Sequence, residues 1–99
     1  MSYKFITLKE ANDGKHKYIV TLLNKETGRN INIKFGSYGM SDFTQHKDNT
    51  RKNSYILRHK VRENWNDVSS AGFWSRWILW NKPSIEMSLK DTIKNHKLI

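Results

Sequence analysis

The 99-residue chain contains no cysteine. That excludes disulfides, thiolate zinc sites and cysteine nucleophiles, and it suits a reducing compartment. One proline and five glycines are too few for a long low-complexity linker. No apolar run approaches the ~20 residues of a membrane-spanning helix. The opening MSYKFITLKE lacks the apolar stretch of a secretory signal, so an intracellular protein is expected. Acidic residues are also scarce, 9 against 18 lysines and arginines. The resulting net charge of +9 favours polyanionic partners, nucleic acid first and an anionic membrane surface second.

Apolar residues make up 36% of the chain and mean hydropathy is −0.80, so any core is small. The 12% aromatic content partly offsets this, because Phe, Tyr and Trp each bury a large area. This length supports one domain, residues 1–99, and hardly two.

The character of the chain changes near residue 40. Ile31, Ile33 and Phe35 alternate with Asn32 and Lys34, giving one buried face and one wet face of a strand. YIVTLL at 18–23 is a run of strand formers, and YKFITL at 3–8 is a weaker one. Asn12-Asp13-Gly14 and Asn24 to Gly28 read as the turns between them. Residues 1–36 are therefore expected to form an antiparallel sheet of about three strands. Gly36-Ser37-Tyr38-Gly39 breaks the pattern.

Residues 47–97 read as helical. Asp48 is a candidate N-cap for NTRKNSYILRHKVRENW, residues 49–65. At 100° per residue Ser54, Leu57, Val61 and Trp65 fall on one stripe, expected to face the core. Arg51, Tyr55, Arg58 and Arg62 fall on the adjacent one. A second helix starts at Ser69 or Ser70 and is stopped by Asn81-Lys82-Pro83. Ser84 caps a third, with Glu86 in its first turn and Lys94 and Lys97 near its end, as the helix dipole favours. Ile85, Leu89 and Ile93 form its apolar stripe. The fold class is α+β: a small sheet followed by about three helices on one face.

Three constellations bear on function. Lys47, Arg51, Lys52, Arg58, Lys60 and Arg62 stand against one acid, Asp48. Guanidinium forks suit phosphate oxygens, and Tyr55 among them is placed to stack on a base or donate to phosphate. The competing reading is a solvated helix face. Binding is preferred because no acids interleave to form i, i+4 pairs. Second, His46, Asp48, His59 and Glu63 can be drawn as the metal site of a nuclease. No HExxH or HNH-like spacing supports it, so no metal, cofactor or catalytic residue is assigned. GxxG at 36–39 without a following GK[ST] is explained as a turn, and no GxSxG elbow is present.

Third, GFWSRWILWNKP at 72–83 holds Trp74, Trp77 and Trp80. On a regular helix Phe73, Trp77 and Trp80 share a face, with Trp74 and Ile78 to one side and Leu79 beyond, next to Arg76. A helix apolar over most of its girth is a core helix. A membrane foot needs a broad polar face, so no membrane partner is expected. One ring, Trp74, is left as a candidate for base stacking. Arg76 either extends the basic patch or braces Asp67 or Glu63.

YIVTLLNKETGRNINIKFG (18–36), YGMSDFTQHKD (38–48), RHKVRENW (58–65) and GFWSRWILWNKP (72–83) together resemble a family of small basic proteins encoded by large DNA viruses of amoebae and algae and by some phages. The resemblance supplies no catalytic residues. It implies a setting in an infected cell or virion, where small basic proteins coat or condense genomes. The expectation is a non-enzymatic nucleic-acid-binding protein of low sequence specificity. Its contacts would be Lys47, Arg51, Lys52, Tyr55, Arg58, Lys60, Arg62 and Arg76. The alternatives are a virion structural or adaptor protein with an acidic protein partner, which includes a homo-oligomer, and, behind it, a metal nuclease.

Overall fold

Alternation builds the sheet first. A computed structural model describes residues 2–99 and contains three antiparallel strands in the order β1-β2-β3. They are β1 (Tyr3–Glu10), β2 (His16–Asn24) and β3 (Arg29–Ser37). Straight alternation along β1 would send Phe5 and Leu8 to opposite faces. The register shifts between Phe5 and Thr7, leaving Ile6 as the extra residue. This bulge returns Leu8 to the core face. The inner rows then read Phe5–Leu22–Ile31, Leu8–Val20–Ile33 and Glu10–Tyr18–Phe35 across the strands. Val20, Leu22, Ile33 and Phe35 are buried.

β3 runs on through Gly36 to Ser37, where the glycines had suggested a stop. Gly36 sits at φ +77°, and a Cβ there would lie 2.8 Å from Leu79 Cδ1. The residue that suggested a break instead lets the helical layer approach the strand. At the other edge Phe5 donates its N–H to the Leu98 carbonyl (2.9 Å), so the chain's last residues partly cover β1.

The helical elements are α1 (Phe43–His46), α2 (Asn49–His59), α3 (Ala71–Trp74), a π-helical turn (Ser75–Leu79) that continues α3, and α4 (Ile85–Asn95). They pack on the inner face of the sheet, as expected. The caps at Asp48, Ser70 and Ser84 are those expected from sequence: each side chain accepts a hydrogen bond from backbone N–H groups of its first turn. Ile85, Leu89 and Ile93 of α4 pack against the core.

The aromatic segment is the hub, with a different face buried. A regular helix groups Phe73, Trp77 and Trp80. The buried residues are Phe73, Trp74, Ile78 and Leu79. They are related as i and i+5, the spacing of the π turn rather than of an α-helix. Widening the turn brings Ile78 over Phe73 and Leu79 over Trp74. Trp77 and Trp80 move to the rim and stay half-buried. Trp74, the ring reserved for base stacking, is 0% exposed. Its indole N–H donates to the Val68 carbonyl at 2.8 Å.

Candidate nucleic-acid interface

α2 carries the predicted interface, and its orientation departs from expectation. The helix ends at His59, not Trp65, and residues 60–62 form a turn. Leu57 is 63% exposed and Val61 76% exposed, whereas Tyr55 is only 6% exposed. Of the stripe expected in the core, Ser54, Leu57 and Val61 face solvent and Trp65 alone stays half-buried. The aromatic expected on the basic face is the anchor. The reason lies in the rings available. Tyr55 stacks on Trp80 (centroids 4.4 Å apart, planes 4° from parallel) and on His59 (4.2 Å), with Trp65 near-parallel at 6.5 Å. Such stacking adds to the area an aromatic buries, which Leu57 and Val61 cannot match. Burial pushes the Tyr55 phenol well above its usual range, with the Glu63 carboxylate adding to the effect.

Rotation by Tyr55 divides the predicted residues in two. Arg51 and Arg58, seven residues apart on one edge of α2, are exposed, as are Lys47, Lys60 and Arg62. Arg58 Nε reaches back to the Ser54 carbonyl at 3.4 Å, and Lys47 Nζ to that of Thr44 at 3.1 Å. Among the described residues no carboxylate lies within 4 Å of any of these five cations.

Lys52, Tyr55 and Arg76 belong to the interior set. Lys52 Nζ donates to the Asn81 carbonyl at 2.7 Å and lies 4.7 Å from the Phe43 ring centroid. Arg76 Nη1 donates to the neighbouring carbonyl of Trp80 at 2.7 Å. Its guanidinium lies 4.4 Å from Trp77 and 5.4 Å from Trp65. It braces neither Asp67 nor Glu63. Burial lowers the pKa of both cations, and for Lys52 the positive charges of Arg76 and Lys82 add to it. Both hold the chain leaving the π turn, where the free carbonyls of a helix end attract cations.

The four residues drawn as a metal site do not converge. His46 Nδ1 accepts from the Asp48 N–H at 2.9 Å, and its ring packs on Trp80. The Asp48 carboxylate caps Thr50 and Arg51. His59 pairs with Glu63 at 3.3 Å, and Glu63 also accepts from the Trp65 indole at 2.8 Å. Among the described residues no three histidine, aspartate or glutamate side chains are grouped to hold a metal ion.

A model of a family of unknown function, DUF5754, matches residues 6–59, more than half of the chain. The chain belongs to the DUF5754 family. The DUF5754 match runs from β1 to the end of α2 and takes in Lys47, Arg51, Lys52, Tyr55 and Arg58. It stops before Lys60, Arg62 and the aromatic hub. No curated protein and no solved structure matches the chain. No helix among the described residues is long and apolar enough to cross a membrane.

The strand pleat gathers cations that no run of charge in the sequence marks. Lys4, Lys9 and Lys34 lie on the face of the sheet away from the helices. The signal was the two-residue alternation that predicted the strands, because every inward apolar residue implies an outward neighbour.

Proposed function

We propose that this chain is a non-enzymatic nucleic-acid-binding protein of low sequence specificity. The outward edge of α2, with Lys47 before it and the turn after it, meets the phosphate backbone. One observation carries the reading: Lys47, Arg51, Arg58, Lys60 and Arg62 are exposed with no carboxylate within 4 Å among the described residues. Cations left unneutralised within the molecule are available to displace counterions from a polyanion. Arginine supplies three of the five, and its fork suits phosphate. Phosphate contacts of this kind position the protein without selecting a sequence.

Five phosphate contacts on duplex DNA give a log–log salt slope of about −4.5, so affinity falls roughly 500-fold between 50 and 200 mM salt. Titrating a random-sequence duplex at those two concentrations tests this. Binding that ignores salt, or no binding, overturns it.

The exposure of Leu57 and Val61 beside these cations favours a second reading, an acidic protein partner with an apolar anchor. Leu57→Ser separates the two. It leaves the affinity for DNA unchanged if phosphate is the target, and it weakens an apolar protein contact.

A further inference from the structure

The sheet has a second face. Its outward rows read Lys4–Leu23–Asn30, Thr7–Thr21–Asn32 and Lys9–Ile19–Lys34. None of these nine residues is buried, and none is acidic. Soluble surfaces ordinarily intersperse charges of both signs. This one carries three cations and no acid, with hydroxyl and amide side chains, which donate readily to phosphate oxygens, and the half-buried Leu23 and Ile19 among them. Lys4 and Lys9 have no carboxylate within 4 Å among the described residues. Lys34 Nζ lies 3.4 Å from the Asp13 carboxylate, which His16 also engages, and remains half exposed. Lys9 and Lys34 flank Ile19 across two strand spacings, about 10 Å.

The two basic surfaces are connected. A groove of about 440 Å³ follows the β3 edge, with Lys34 and Lys17 on the sheet side and Arg58 on the α2 side. The acids that line it, Asp42 and Glu63, are engaged by Lys17, and by His59 and Trp65. Arg58 and Lys34 thus line one groove whose two carboxylates are already engaged.

We propose that the uncovered face of the sheet is a second phosphate-binding surface, continuous through this groove with the edge of α2, and that one nucleic-acid molecule contacts both. The occupant follows from charge: a face whose only charges are cations complements a phosphate backbone and repels a second copy of a chain that is itself +9. The competing role for lysines on edge strands is to discourage strand pairing between molecules. That role needs charge and no particular partner. The proposal rests on the nucleic-acid reading above, and its test is separable from the test of that reading.

The experiment compares salt slopes on one random-sequence duplex for wild type, the sheet triple variant Lys4→Gln/Lys9→Gln/Lys34→Gln, and the helix double variant Arg51→Gln/Arg58→Gln. All five substituted side chains are exposed, and matching thermal melts verify folding. The wild-type slope should exceed the −4.5 of the α2 contacts alone. The sheet variant should be shallower than wild type by about 2.7, and the helix variant by about 1.8. A sheet variant with the wild-type slope overturns the second surface, even where the helix variant upholds the first. A helix variant with the wild-type slope overturns the assignment to α2. If the sheet variant keeps its slope on DNA but loses binding to poly-glutamate, the face belongs to an acidic polypeptide and the proposal fails.

Discussion

The aromatic segment 71–80, apolar over most of its girth, and helix α2, amphipathic on paper, are used by the fold in opposite ways. The first sends Phe73, Trp74, Ile78 and Leu79 into the core. The second buries a single side chain, Tyr55, and leaves Leu57, with Val61 of the turn after it, in solvent. One segment is held by packing over most of its girth. The other is docked through one phenol ring on Trp80 and one ammonium on the Asn81 carbonyl. The difference separates stability from charge. The hub supplies the apolar area and, at its rim, the rings and carbonyls that receive Tyr55, Lys52 and Arg76. α2 then carries cations outward without having to bury its own aliphatic stripe.

That contrast can be broken by substitution. Trp74→Ala removes a fully buried ring and leaves the Val68 carbonyl without its indole donor. A loss of about 3–5 kcal/mol in chemical denaturation is expected, enough to unfold much of a domain this small. Tyr55→Ala should cost about 3 kcal/mol, whereas Leu57→Ala should stay within about 0.5 kcal/mol. If the two α2 substitutions had equal effects, the helix would not be docked as described.

A subtler test uses pH. The folded state holds the Tyr55 phenol neutral above its ordinary value of 10.0, chiefly through burial. The unfolded chain ionises near that value and gains stability as it does so. The contribution of Tyr55 to stability is therefore fully present below pH 10 and is lost as pH rises above it, toward the raised value of the folded state. Tyr55→Phe cannot ionise, so its stability relative to wild type should improve above pH 10 and stay constant below it. A constant difference across that range would place Tyr55 in water.

Much of the fold was legible in the sequence, because alternation, turn residues and helix caps are local signals. Asn12-Asp13-Gly14, Asp48, Ser70 and Ser84 each did the work their chemistry suggests. The hub was recognisable from its aromatic density. Its buried face was not, because a 100° projection assumes an α-helix and the chain makes a π turn. The rotation of α2 was hidden for a related reason. Counting apolar residues ranks Leu57 and Val61 above Tyr55, while the partner that decides the matter, Trp80, lies 25 residues away. Five of the eight predicted contact residues are exposed. Lys52, Tyr55 and Arg76 face the interior because long cationic and aromatic side chains satisfy the free carbonyls and rings at the hub's rim, a need that no charge count registers.

The central claim is that the exposed arginine edge of α2 neutralises phosphates. The most direct measurement is the salt slope of duplex binding for wild type against Arg51→Gln/Arg58→Gln. Both proteins should fold alike. The variant should lose about 1.8 from the slope, with weaker binding at 50 mM salt. Equal slopes in the two folded proteins would contradict the account.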